Sequence, residues 1–109
     1  MKYILISTVF VLSFAAAAFA DDAKIAKGKE VYAAQKCALC HSIDGKGSAK
    51  GPLDGVGSKL KEAELREWMT DAKGMTAKTN ATRKPDMKSY ALPADDLDAV
   101  VAYMASLKK

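Results

Sequence analysis

Apolar residues recur at helical spacing in three segments of this chain. The segments run over about Ala23–Lys36, Lys59–Ala72 and Ala94–Leu107. In the second segment one apolar stripe has the spacing i, i+3, i+4 and i+7, formed by Leu65, Trp68, Met69 and Ala72. The third segment repeats this spacing with Leu97, Val100, Val101 and Met104. No segment alternates apolar and polar residues as a strand does, so the pattern predicts an all-α fold with three main helices.

A glycine interrupts the first predicted helix. Gly28 stands on its apolar side together with Ile25, Val31 and Tyr32. Glycine inside a helix costs about 1 kcal/mol relative to alanine, so its presence needs a physical reason. Close approach of a second helix is one such reason, and a frayed first turn is the other. Periodicity alone does not separate the two.

Two long connections separate the predicted helices. They cover residues 41–58, with five glycines and Pro52, and residues 73–92, with Gly74 and Pro85. Connections this long are uncommon in a small domain unless they have a function. Neither contains enough apolar residues to fold around itself. Both are explained if they wrap one bulky apolar object that is not protein.

Residues 1–20 differ in character from the rest of the chain. Lys2 precedes an apolar run that ends in an A-x-A pattern at Ala20. A short positive region, an apolar core and small residues before the cleavage site are typical of a secretory signal peptide. A retained transmembrane anchor is the alternative, because the run is only a little shorter than the roughly 20 residues that span a bilayer. We expect cleavage after Ala20, export to the periplasm and a single domain over residues 21–109.

The charge balance argues against one class of partner. Lysine and arginine number 17 against 13 acidic residues, for a formal charge of +4 at pH 7. The two signs are interleaved and no long basic run occurs, so nucleic acid is not an expected ligand. A modest positive excess is suited to weak docking on an acidic protein surface.

The segment Cys37-Ala38-Leu39-Cys40-His41 contains both cysteines and the only histidine of the sequence. A thiol-redox disulfide with this spacing is expected beside a βαβ unit, and no strands are predicted to build one. Zinc needs four ligands, and these three side chains are the only usual nitrogen and sulfur donors. The remaining interpretation is a c-type haem, to which Cys37 and Cys40 form thioether bonds while His41 binds the iron.

A haem iron bound by His41 has a second axial position to fill. The sequence has no other histidine, so methionine is the next candidate, and a Met/His pair raises the reduction potential. Met69 and Met104 lie on predicted helical stripes, where core packing is the better interpretation. Met87 follows a proline in the second long connection, and proline limits the conformations of the loop. Met87 is therefore the predicted ligand, with Met75 as the alternative.

Several of these features together resemble a known family. They are Gly28 and Tyr32 ahead of CALCH, Gly51-Pro52-Leu53 after it, Pro85-Asp86-Met87, and Val100 with Tyr103 in the last helix. On these residues the chain resembles the small bacterial class I c-type cytochromes (monohaem cytochrome c) over essentially all of residues 21–109. The resemblance implies the cytochrome c fold, in which three main helices and long loops wrap around one covalently bound haem.

The resemblance also implies roles for individual residues. Gly28 would be the point where the first helix crosses the last, the helix that carries Tyr103. Pro52 would offer its carbonyl oxygen to the imidazole of His41 and raise its basicity. Trp68 would form part of the apolar haem wall.

The expected function is that of a soluble periplasmic electron carrier of a respiratory chain, not an enzyme. It would be a monomer that exchanges single electrons with redox partner proteins, a donor reductase or dehydrogenase and an acceptor oxidase or reductase. Cations that border the expected haem edge would steer such partners: Lys36, Lys46, Lys50, Arg83, Lys84 and Lys88. Two other classes stay open: a haem sensor or small haem enzyme with an open sixth position, and a helical interaction module with an incidental disulfide.

Overall fold

Helices make up most of the regular structure. The computed structural model describes residues 13–109, with side chains from residue 21 onward. Five α-helices lie within these residues: α1 (Ser13–Ala34), α2 (Val56–Lys59), α3 (Glu62–Thr70), α4 (Ala72–Thr79) and α5 (Ala94–Ser106). There are also a 3-10 turn, Cys37–Leu39, and two short antiparallel strands, β1 (Ser42–Ile43) and β2 (Lys46–Gly47). The predicted all-α fold is confirmed.

The last predicted helix forms nearly where the sequence places it, whereas the first begins at Ser13, ten residues before its predicted start. α5 begins directly after Pro93 and ends one residue before its predicted bound. α1 ends at Ala34, two residues earlier than predicted. Lys36 takes a left-handed conformation there, with φ of 57°, which ends the helix and turns the chain into the cysteine segment.

The middle of the chain differs most from the prediction. α3 is shorter than the helix predicted over Lys59–Ala72, because the Glu64 carboxylate accepts a 3.0 Å hydrogen bond from the Lys61 amide and fixes the start. A further helix, α4, occupies the first part of the loop predicted over residues 73–92. Asp71 separates the two helices. Its backbone leaves helical geometry, and its carboxylate caps α4 by accepting a hydrogen bond from the amide three residues on.

The connection predicted over residues 41–58 is not a continuous loop, because the strand pair and α2 lie inside it. Gly57 of α2 packs directly on α5, where a side chain would overlap the carbonyl of Ala105. The Gly57 amide also donates a 2.8 Å hydrogen bond to the carbonyl of Leu107. This segment is therefore fastened to the end of α5.

Close contact between α1 and α5 forms the centre of the fold. Gly28 lies at their crossing, where a Cβ atom would overlap the Ala99 carbonyl and come within 2.6 Å of the Tyr103 Cβ. The rings of Tyr32 and Tyr103 pack edge to face, with centroids 5.9 Å apart. The close approach of a second helix at Gly28 is confirmed, and the alternative of a frayed turn is wrong.

Residues 1–12, most of the predicted signal peptide, lie outside the described residues. The backbone of α1 continues through Ala20 without a break, and cleavage after that residue stays a prediction. Within residues 13–109, no helix is both long and apolar enough to cross a bilayer.

Substitution of Gly28 by valine should destabilise the protein, because the added side chain would overlap the backbone of α5. We expect a loss of about 1–3 kcal/mol in the free energy of unfolding of the holoprotein, measured by denaturant titration. Ala26 is exposed on the same helix, so Ala26→Val is a control that places valine in α1 away from the crossing. Equal losses in the two variants would contradict a tight crossing at Gly28.

Candidate functional site

A cavity of about 770 Å³ is enclosed by residues from all five α-helices described, from the cysteine segment and from the loop after α4. Most of its wall is apolar and includes Leu53, Val56, Leu60, Leu65, Trp68 and Val100. Trp68 thus occupies the cavity wall. An apolar cavity of several hundred cubic ångströms with a few polar groups is the usual form of a cofactor site.

The cysteine segment contributes the reactive groups of the cavity. Cys37 begins the 3-10 turn and Cys40 follows its last residue. Side chains three residues apart eclipse in such a turn, which places both thiols on the same side of the segment. Cys37, Cys40 and His41 all line the cavity, and both cysteines are free thiols. Burial raises the pKa of the Cys37 thiol.

A hydrogen bond fixes the imidazole of His41. Its Nδ1 donates to the Gly51 carbonyl oxygen at 3.0 Å, which leaves Nε2 free as a ligand. The predicted acceptor, the Pro52 carbonyl, is therefore wrong by one residue. The Ser42 amide donates to the same Gly51 oxygen at 3.1 Å, and the Leu53 amide donates to the Ser42 oxygen at 2.8 Å. These two bonds align the segments so that the Gly51 carbonyl faces His41, while Pro52 is exposed.

The surroundings of His41 favour its neutral form. Burial lowers the pKa of the imidazole below its usual value of 6.5, and the positive charge of Arg83 lowers it further. The hydrogen bond to Gly51 opposes these two effects in part. Because a histidine must lose its proton to bind a metal ion, the lowered pKa prepares His41 for that role at neutral pH.

Methionines from three elements border the cavity. Met87 reaches it from the loop after α4 and packs, half-buried, against a buried apolar cluster. Met69 and Met104 border it from α3 and α5, and both are buried in the core as predicted. Met75, the predicted alternative ligand, is buried in the packing of α4 and is not part of the cavity wall. The structure thus brings Met87, and not Met75, to the cavity.

The loop that carries Met87 is fastened behind it. The Tyr90 amide donates a 2.8 Å hydrogen bond to the Met69 carbonyl. The Ala72 amide donates a 2.9 Å hydrogen bond to the Ser89 hydroxyl oxygen. Both bonds hold the loop against the junction of α3 and α4. Met87 therefore lies two residues before Ser89, the nearer of these two attachment points.

Arg83 has a place in the site that sequence reasoning missed. It was predicted as one of six cations on the surface near the haem edge. In the structure it is half-buried, lines the cavity and donates a hydrogen bond to the Cys40 carbonyl. The guanidinium also lies against Gly51, where a Cβ atom would overlap it, and no spacing in the sequence indicates this contact. Of the other five cations, Lys36 and Lys88 also line the cavity.

An apolar cavity with two thiols and an oriented imidazole in its wall is suited to a covalently attached haem, which places the chain among the c-type haem proteins. Comparison with protein families agrees, because the sequence profile of the Cytochrome c family matches residues 25–108. The chain belongs to the cytochrome c family. It is a small class I c-type cytochrome that binds haem c covalently, and Cys37 and Cys40 fit the attachment motif. The predicted family and cofactor are confirmed.

A curated relative is part of a larger assembly. Cytochrome c oxidase subunit 2 of Alkalihalophilus pseudofirmus is 26% identical to this chain over 91 residues. The match covers 75% of this chain and 25% of the relative, so the chain corresponds to about a quarter of that protein's length. No solved structure matches the chain.

Two buried polar atoms of the described residues lack a hydrogen-bond partner, and both suit a haem. They are the Tyr32 hydroxyl and the Arg83 Nε, and both residues line the cavity. Burial raises the pKa of Tyr32 to about 12, so the hydroxyl keeps its proton and acts as a donor. The propionate carboxylates of haem accept hydrogen bonds and attract a guanidinium group. The side chains present therefore fit this cofactor.

Substitution of Gly51 by alanine should loosen His41. The added Cβ would overlap the Cys40 carbonyl and the Arg83 guanidinium, so the carbonyl that holds the imidazole has to shift. We expect faster exchange of the His41 Nδ1 proton in NMR spectra of the reduced holoprotein. We also expect a loss of about 1–3 kcal/mol in the free energy of unfolding.

Gly45→Ala is the control for this substitution. Gly45 has φ of 78° and no atom within 4 Å of an added Cβ. Alanine there is strained by about 1–2 kcal/mol but touches nothing, so the His41 proton should exchange at the wild-type rate. Exchange in Gly51→Ala that matches this control would show that the Gly51 carbonyl does not orient the imidazole.

Proposed function

We propose that the protein is a soluble periplasmic electron carrier whose haem iron is bound by His41 and Met87. The observation that carries this proposal is that both side chains border the cavity that also receives the two cysteines. His41 and Met87 come from separate loops, so independent parts of the chain supply the two ligands. An iron with six ligands has no open position for a substrate, which favours electron transfer over catalysis.

The side chains around the cavity set the properties of the redox centre. Bound haem supplies a one-electron couple between ferric and ferrous iron. The Gly51 carbonyl orients His41 and makes its imidazole a stronger base. The apolar wall, which includes Leu65 and Trp68, keeps water out and so raises the reduction potential by disfavouring the extra positive charge of the ferric state. A thioether ligand from Met87 acts in the same direction.

Export to the periplasm is supported by the sequence of residues 1–20, which has the parts of a cleavable signal peptide. Covalent attachment through Cys37 and Cys40 is consistent with this location, because a cofactor that dissociates outside the cytoplasm is lost to the cell.

Replacement of Met87 by leucine should abolish the weak long-wavelength absorption band of ferric Met–sulfur ligation and lower the reduction potential. Leucine preserves the side-chain volume, at a cost to stability below about 1.5 kcal/mol, so unfolding does not obscure the result. The same change at Met69, Met75 and Met104 provides matched controls that should keep the band. If the band survives in Met87→Leu and disappears in one of the controls, the methionine replaced in that control is the iron ligand.

The competing function is that of a haem sensor or small haem enzyme with an open sixth position. Rapid carbon monoxide binding by the reduced wild-type protein would favour it and overturn the electron-carrier proposal. His41 is the only histidine of the sequence, so no second imidazole is available as a distal acid or base. This favours the electron carrier.

We further propose that redox partners dock where the cavity opens beside the cysteine segment. Leu39 lines the cavity and is 75% exposed, which is unusual for a large apolar side chain in the described residues. Lys36 and Lys88 are exposed and border the same cavity. An apolar contact with cations around it suits short encounters with an acidic partner. Similarity to a cytochrome c oxidase subunit supports a terminal oxidase as an acceptor, and with it a place in a respiratory chain.

Charge reversal at the opening should slow electron transfer to an anionic oxidant. We expect Lys36→Glu with Lys88→Glu to reduce the rate of oxidation by hexacyanoferrate(III) about tenfold at low ionic strength, measured by stopped flow, and the difference to vanish at high salt. The control is Lys24→Glu with Lys108→Glu, which changes the net charge equally at a separate groove. Equal slowing in the two double variants would show that net charge alone steers the oxidant.

A further inference from the structure

We propose that Arg83 is a positioning residue that holds the loop of Met87 closed against the haem-attachment segment. The inference rests on the proposed ligation of the iron by His41 and Met87. Arg83 stands in the same loop as Met87, and its side chain reaches across to the cysteine segment. It acts on the iron through the position of Met87 and not by binding the metal.

The contacts of Arg83 show how it bridges the two segments. Its guanidinium donates a hydrogen bond to the Cys40 carbonyl, and it occupies the space that a side chain on Gly51 would fill. Cys40 directly precedes His41, and the Gly51 carbonyl accepts the hydrogen bond from the His41 ring. One side chain therefore connects the loop of one proposed ligand with the backbone that holds the other.

Residues 82–88 have no other hydrogen bond to a distant part of the described chain. Lys84 and Asp86 pair at 2.8 Å, but this contact is internal to the loop. Before this stretch, the Ala81 amide is bonded to the Thr76 carbonyl at the end of α4. After it, the next fixed points are the hydrogen bonds of Ser89 and Tyr90 to the junction of α3 and α4. Apart from apolar packing of Met87, the hydrogen bond of Arg83 is what fastens residues 82–88 to a distant segment of the described chain.

This arrangement determines how often the iron is open to an outside ligand. Such a ligand binds only after Met87 has left the iron, so its apparent affinity scales with the fraction of molecules whose loop is open. Hydrogen bonds with a charged donor are among the stronger ones in proteins. Loss of the Arg83 contact therefore increases the open fraction, and outside ligands bind more tightly in proportion.

Imidazole titration of the oxidised holoprotein tests this role. The pH is chosen so that free imidazole is uncharged, because the charge of Arg83 then neither attracts nor repels it. We expect Arg83→Ala to bind imidazole about tenfold more tightly than wild type, equivalent to 1.4 kcal/mol. Its Met–sulfur band should disappear at a correspondingly lower imidazole concentration. Arg83→Lys keeps the charge and a donor, so it should restore much of the wild-type resistance to imidazole.

Lys84→Ala is the matched control, because Lys84 is the adjacent exposed cation and its hydrogen bond stays within the loop. It should bind imidazole as the wild type does. Equal imidazole affinity in Arg83→Ala and Lys84→Ala would overturn the role of Arg83 and leave the ligation by Met87 intact. A wild-type protein without the Met–sulfur band would instead overturn the proposed ligation, and the role of Arg83 with it.

Discussion

Contact between α1 and α5 at Gly28 is the constraint on which the cavity depends. α1 leads into the two cysteines, and α5 carries Val100 and Met104 into the cavity wall. A change in the separation of these helices would move the attachment segment relative to that wall. The glycine removes the side chain that would hold the helices apart, so the backbone of α1 approaches the Cβ atom of Tyr103, whose ring packs on Tyr32. The place where haem is attached is therefore set by a contact between helices from opposite ends of the domain.

The apolar core around the cavity is divided. One buried cluster contains Leu65 and Met104, another contains Met69 and Val100, and all four residues line the cavity. Haem bound in this cavity would contact both clusters and join them into one core. A domain of this size buries only a limited apolar surface by itself, so the cofactor supplies a large part of what holds it together. Loops with few apolar residues can then be long, because they close over the cofactor and not over one another.

Periodicity predicted α1, α3 and α5 because each of these helices buries a continuous stripe. It missed α4, whose buried residues, Ala72 and Met75, are too few to form a stripe, although Asp71 is an ordinary N-cap. Spacing in the cysteine segment was enough to predict the cofactor, since the chemistry of attachment is local. The roles of Gly51 and Arg83 depend on contacts between segments far apart in the chain, which spacing does not contain. The resemblance correctly identified the Gly51-Pro52 segment as the one that holds His41. It did not specify which carbonyl of that segment faces the imidazole, so the acceptor was predicted one residue too late.

The hydrogen bonds that join the loop of Met87 to the rest of the molecule lead to the cysteine segment and to the junction of α3 and α4, and none leads to the helix crossing at Gly28. An insertion or deletion between Ala81 and Ser89 would change how far Met87 reaches without adding or removing an atom at the contact of Gly28 with Ala99 and Tyr103. The loop is in this sense a module whose length can vary separately from the scaffold that supports it. Short changes in this one segment can therefore alter the environment of the iron during evolution while the helix contact at Gly28, on which the fold depends, stays the same.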